Sequence, residues 1–391
     1  MSAKSTASRS ARYRAIASHY RRELSRTPDR LLDALSSSLS PDHRARVLYS
    51  FQRTPRTYEL DLDSIHPKLI NCLLRSVSVT GSADLTFQAL EASRQPVGRH
   101  WDPIRVHQLR DTTVDPSTGL VFVGDRVVSQ SSYGFRSASD GAFLSSATPR
   151  VRKSTGTLNI PGPIAPFGGA VYNYYHFLIE TLPRILFIKV VEPNVSVTFT
   201  QPLPRHVDQI LTALGINFLV VPERPFRHDN VYLCDPAPFA WPHPDSIRML
   251  HELDVPSDDP DERFPSKIYV SRVGTSRDLV DQHHLERALE ERGFMTVRPE
   301  NLSWSDQVQL FRNAQTVVAP HGAGLANIVF MSPGSRVYEI TTGSWWYPCF
   351  RNIAHMGSLD HELIVIPSTL QAPHGAARDA VTQISEALRR D

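Results

Sequence analysis

The pattern of apolar and polar positions divides the chain into three textures. Residues 1–60 are polar, with helical spacing over 11–24 and 30–39 and no strong apolar face. From about Asp102 short β-type runs begin, at 106–109, 120–123 and 126–129, with Gly124-Asp125 as a turn. Residues 131–160 are rich in Ser, Thr, Gly and Arg and read as a long loop. The first strong helix is predicted over 173–191. There Phe177, Leu178, Leu182, Ile185, Leu186 and Ile188 recur at helical spacing, and Pro183 predicts a kink or a break. A strand at 195–199, a helix at 204–214 ended by Gly215, and strands at 218–221 and 230–233 follow, the alternation of a parallel α/β layer.

The stretch 252–265 is acidic and carries three prolines, and it is the best domain boundary. Beyond it the alternation is clear. Strands are predicted at 267–271, 294–298, 316–319 and 336–340, and helices at 282–292, 305–314 and 323–331. Three βα units and a fourth strand call for a doubly wound parallel sheet, with ligands at the carboxyl ends of its strands. The predicted division is a basic, helical extension at 1–95, an α/β domain at 96–258 and a Rossmann-like nucleotide-binding domain at 262–391.

Composition narrows the class. A chain of 391 residues with 41% hydrophobic and 21% charged residues can bury a sizeable core. A net charge of +2 gives no support for nucleic-acid binding, which needs a strongly basic face. The excess of arginine in the first thirty residues suits a solvated arm or a peripheral contact with an anionic membrane face. Cys72, Cys234 and Cys349 are too few and too scattered for a disulfide framework or a zinc site, so a reducing compartment is expected. No apolar run approaches the ~20 residues of a membrane span. The expected location is the cytoplasm, with the inner membrane face as an option.

Four segments carry chemistry. The first is the run from Thr316 to Asn327, in which a buried strand enters the turn His321-Gly322-Ala323-Gly324-Leu325 and then a helix. The glycines admit close backbone approach, and the amides of Ala323, Gly324 and Leu325 stand as first-turn donors suited to a diphosphate. A tight turn without a ligand is the plain alternative. The second is the strand and loop from Lys267 to Arg277, where Arg272 and Arg277 can grip phosphate oxygens or pair with acidic neighbours. The third is Glu339 at the end of a strand, placed to accept ribose hydroxyls or to be satisfied by local backbone; Trp345, Trp346 and Tyr347 follow it. The fourth is the helix from Tyr172 to Arg184, where His176 and Glu180 share a face and Arg184 lies one turn on. Either His176 or Glu180 can serve as a general base, and a salt-bridge cluster on an interdomain face is the alternative.

Together these segments resemble glycosyltransferase family 61, whose bacterial members include capsular and exopolysaccharide enzymes. The resemblance rests on Asn-Tyr-Tyr-His-Phe-Leu-Ile-Glu-Thr-Leu-Pro-Arg from Asn173 to Arg184, and on Lys-Ile-Tyr-Val-Ser-Arg at 267–272 with Ser276-Arg277 after it. Its third part is Leu302-Ser303-Trp304 to Gln307, then Ala314, His321-Gly322-Ala323-Gly324-Leu325, Asn327 and Phe330. It covers about residues 100–345.

The resemblance implies a GT-B-like α/β fold: two Rossmann-type domains facing a cleft, here with an extra N-terminal helical segment. It implies inversion at the anomeric carbon, a nucleotide-sugar donor, a glycan or other hydroxyl acceptor, and no metal or other cofactor. Arg272, Arg277 and the turn His321, Gly322, Ala323, Gly324 and Leu325 would hold the donor diphosphate, and Glu339 the ribose. Asn173, Tyr175 and Arg184 would line the acceptor side of the cleft, with His176 or Glu180 as base. The Asp-x-Asp pairs at 61–63 and 259–261 lie outside the predicted nucleotide fold and are given no metal role. An inactive nucleotide-sugar-binding scaffold of the same fold and a Rossmann-type oxidoreductase are the competing classes. The oxidoreductase wants its glycine motif on the first strand-to-helix turn, which here is arginine-rich.

Overall fold

The computed structural model describes residues 104–124, 126–131, 156, 158–168, 170–200, 203–237, 241–257, 264–274, 279, 281–341, 347–366 and 377–389, with two short strands before them, β1 (Leu48–Tyr49) and β2 (Thr57–Glu59). The predicted helices at 11–24 and 30–39, Arg277, Trp345, Trp346, Cys72 and both Asp-x-Asp pairs lie outside the described residues.

The first half builds two sheets. Strands β3 (Arg105–Leu109), β4 (Thr112–Asp115), β5 (Leu120–Val123) and β6 (Arg126–Val128) come early. Then come β7 (Ile164–Pro166), β8 (Ser196–Thr200), β9 (Phe218–Val221), β10 (Phe226–His228) and β11 (Val231–Cys234). One sheet, β1-β6-β5-β4-β10, is largely antiparallel. The other, β2-β3-β11-β7-β8-β9, has a parallel core of β11, β7, β8 and β9 edged by antiparallel β3. The expected parallel α/β layer is present as β11, β7, β8 and β9, within a mixed sheet that has a second, largely antiparallel sheet beside it. Three short strands (β4, β7 and β10) were too brief to show a period in sequence.

The second half follows prediction as far as residue 340 and then adds a fifth strand and two helices. Strands β12 (Lys267–Val270), β13 (Met295–Val297), β14 (Thr316–Pro320), β15 (Arg336–Thr341) and β16 (Asp360–Val365) are all parallel, in the order β13-β12-β14-β15-β16. The chain goes to one side of β12 and returns to the other, so the carboxyl ends of β12 and β14 flank a topological switch point.

Seven α-helices cover the sheets among the described residues. They are α1 (Leu182–Val191), α2 (Arg205–Ala213), α3 (Pro244–His251), α4 (Gln282–Glu290), α5 (Trp304–Asn313), α6 (Cys349–Met356) and α7 (Ala377–Arg389). Their starts have local causes. Ser303 caps α5, its Oγ accepting from the Asp306 amide at 3.1 Å, and Pro244 opens α3, where a missing N–H costs nothing. The segment Ala323–Phe330, expected as an α-helix, is a 3₁₀-helix. No helix among the described residues is long and apolar enough to cross a membrane.

One continuous apolar core joins the halves, running from Phe177 and Ile185 to Val308, Leu325 and Phe350. A polar pin crosses it. Tyr174 Oη donates to Asn327 Oδ1 at 2.5 Å, and Asn327 Nδ2 donates to Gln307 Oε1 at 3.0 Å. Burial raises the Tyr174 phenol, so it stays a donor.

Candidate active site

Pro183 shapes the first part of the site. Proline has no N–H to give to the preceding turn and its ring crowds that turn. The chain responds with a π-helical segment, His176–Thr181, in which Leu182 N–H reaches back to Phe177 O, and α1 starts with Pro183 in its first turn. The predicted break is thus a widened turn, a feature that recurs at functional sites.

On this turn His176 Nδ1 lies 2.8 Å from Glu180 Oε2. The carboxylate is an acceptor, so Nδ1 carries the proton and Nε2 the lone pair. Burial pulls His176 down to about 4, which leaves the ring neutral at pH 7 and fit to take a proton. Asn173 is exposed, and its Oδ1 accepts from the His176 amide at 3.3 Å. Tyr175 is buried, with its phenol raised by desolvation and by the Cys349 thiol.

Arg184 departs from expectation. It is buried, donating from Nε to Cys234 O at 3.1 Å and from Nη2 to Gln130 O at 3.0 Å, over the Phe167 ring. It ties the helix to the N-terminal sheets and is no acceptor contact. The extra residue in the π-turn rotates all that follows, and a plain helical wheel misses this.

The second part lies at the switch point. Arg272 leaves the end of β12 and donates from Nη1 to His321 O at 2.5 Å. Gly322 is there because of Arg272: a Cβ on it would meet Arg272 Nη1 at 1.8 Å. Its φ of 174° is ordinary extended backbone, so space and not conformational freedom requires the glycine. Gly324 packs less tightly, its added Cβ falling 3.4 Å from Val270 Cγ1. Ala323 and Gly324 open the 3₁₀-helix, whereas the Leu325 amide is already committed to Gly322 O at 2.9 Å and is withdrawn from the predicted set of ligand donors. Below the Arg272 loop, Ser271 Oγ donates to Glu286 Oε1 at 2.6 Å and accepts from Gln282 Nε2 at 3.1 Å, which anchors the loop root.

Glu339 is not where a ribose could reach it. It is fully buried; Oε1 accepts from His321 Nδ1 and Oε2 from His361 Nε2, the latter at 2.8 Å. Burial alone would raise this carboxyl, but the charge and hydrogen bonds of His321 and His361 overcome it and hold the group at about 2. The expected ribose contact is therefore corrected to an internal clamp on His321.

The two parts meet through α6. Phe350 stands edge-on to Tyr175 at 5.6 Å and to His321 at 5.0 Å. The buried Cys349 thiol is raised first by desolvation and then by the charges of Glu339 and Glu180. Sequence reading missed His361, Cys349 and Phe350. Part of the signal was present: 360–365 ends in the β-type run Leu-Ile-Val, and 349–356 has a helical apolar face.

Residues 174–338 match the family model described as Glycosyltransferase 61, a span that holds His176, Glu180, Arg272 and the His321–Leu325 turn. The chain is 27% identical over 89 residues to a beta-1,2-xylosyltransferase of Oryza sativa subsp. japonica, covering 23% of this chain and 16% of that protein. It is 28% identical over 88 residues to a beta-1,2-xylosyltransferase of Arabidopsis thaliana, covering 22% of this chain and 16% of the relative. The aligned stretch thus spans less than a fifth of the length of these curated relatives.

Proposed function

We propose that this chain is a glycosyltransferase that moves a sugar from a nucleotide-activated donor to the hydroxyl of a glycan acceptor, with inversion at the anomeric carbon and without a metal ion. One observation carries the reading. A partly exposed, neutral His176 held by Glu180 stands two aromatic rings, Tyr175 and Phe350, from the His321 turn that Arg272 grips. The family match over the segment that holds both supports it.

In this reading the donor diphosphate lies on Arg272, Arg277 and the turn from His321 to Gly324. The acceptor enters beside Asn173 and Tyr175. His176 Nε2 takes the proton of the acceptor hydroxyl as its oxygen attacks the anomeric carbon and the bond to the diphosphate breaks. Glu180 accepts from Nδ1–H and stabilises the imidazolium that forms. Charge growing on the leaving diphosphate is met by the Arg272 fork and the turn amides. Because both relatives carry beta-1,2-xylosyltransferase in their names, a xylose nucleotide heads the set of donors to try.

The test is binding and slow hydrolysis of a panel of nucleotide sugars, with and without EDTA, for wild type and Arg272→Ala. The expected result is binding that survives EDTA and weakens on the order of 100-fold in the variant. Binding that needs a divalent metal would overturn the metal-free mechanism. No binding of any nucleotide sugar would overturn the transferase reading.

A further inference from the structure

His361 sits on β16 opposite Val337, on the same face of the sheet as Glu339 two residues further along β15. Its side chain is 5% exposed, and Nε2 donates to Glu339 Oε2 at 2.8 Å. The other ring nitrogen, Nδ1, is buried without a hydrogen-bond partner among the described residues. Burying such a nitrogen carries a desolvation cost that no hydrogen bond returns. An apolar side chain of similar size would avoid that cost. What the histidine provides in return is a donor on the second oxygen of Glu339.

That second donor matters for His321. A carboxylate held at one oxygen can turn about its side-chain torsions. Held at both, its plane is fixed, and so is the ring that donates to the first oxygen. His321 commits Nδ1 to Glu339, so the ring's tautomer and orientation follow the carboxylate. Arg272 fixes the same turn from its other side through the His321 carbonyl.

We infer that His361 is a positioning residue: through Glu339 it sets the tautomer and orientation of His321 at the anion-facing turn beside Gly322 and Arg272. The identity of the anion, the donor diphosphate, rests on the transferase reading; the placement of the ring rests on geometry alone.

The experiment pairs two readouts on the full chain. Histidine-ring ¹⁵N–¹H spectra follow the slowly exchanging Nδ1–H of His321 without any substrate, and steady-state kinetics follow the nucleotide sugar that wild type binds. His361→Gln keeps a side-chain N–H; it is expected to keep the His321 signal and most of the activity. His361→Leu is expected to lose the signal and to lower kcat/KM about tenfold. Should the leucine variant fail to fold, His361→Asn, too short to reach Glu339 Oε2, serves in its place. The inference is overturned if the leucine or asparagine variant keeps both the His321 signal and wild-type kinetics, or if glutamine loses as much as leucine. Loss of the signal in a chain whose wild type binds no nucleotide sugar would support the placement of the ring and sink only the transferase reading.

Discussion

Two histidine–glutamate assemblies flank the candidate site, one from each half, and they are built to opposite ends. In the first, His176 Nδ1 meets Glu180 and the ring is 20% exposed; burial keeps it neutral. In the second, Glu339 has no exposure and is held as an anion by two imidazoles. The same residue types thus give a partly exposed, neutral imidazole in one place and a buried clamp in the other. The access of the ring separates them: His176 reaches solvent, whereas both rings on Glu339 are sealed in.

Breaking the first assembly should cost rate and spare the fold. His176→Ala is expected to lower kcat about 10²–10⁴-fold with a thermal midpoint near wild type, measured by transfer assay and melting. Breaking the second should do the reverse first. Glu339→Leu strands two buried imidazoles and is expected to cost about 3–5 kcal/mol in urea unfolding. A leucine variant as stable as wild type would mean the clamp is not structural.

Acid separates the two assemblies. His176 falls from an ordinary 6.5 to about 4 in the fold, so the unfolded chain binds the proton first and stability drops as pH falls from 6.5 toward 4. Glu339 falls from an ordinary 4.5 to about 2, so its contribution is intact above 4.5 and lost between there and 2. Urea midpoints against pH should therefore lose the upper slope in His176→Gln and the lower slope in Glu339→Gln. The acid limb of kcat should lie near 4, not near 6.5, because the base stays neutral that far down.

Gly322→Ala is a finer probe. The new methyl displaces only the flexible end of Arg272, so folding should change by less than about 1 kcal/mol while donor KM rises about tenfold. The smallest effect is expected at the pin between the halves. Tyr174→Phe removes one buried hydrogen bond to Asn327, worth about 1 kcal/mol, and a calorimetric midpoint would show it.

The sequence by itself determined the second sheet. Each strand from β12 to β15 and each helix between them has its apolar period and its stop signal, such as Gly293 after α4, and parallel order follows from the alternation. It also placed His176 beside Glu180, because four residues on one helical turn are local geometry. The mixed N-terminal sheets escaped it, since β4 and β3 find their antiparallel partners β10 and β11 more than a hundred residues along the chain. Tertiary structure alone decided what the site residues touch. Glu339 faces His361 only because β15 and β16 pair in register, and Gly322 is needed only because Arg272 arrives from a loop 50 residues earlier. Arg184 turned inward because a π-turn forced by Pro183 rotated the helix beneath it. Local spacing fixes which side chains share a turn; register and packing between distant segments fix which of them meet.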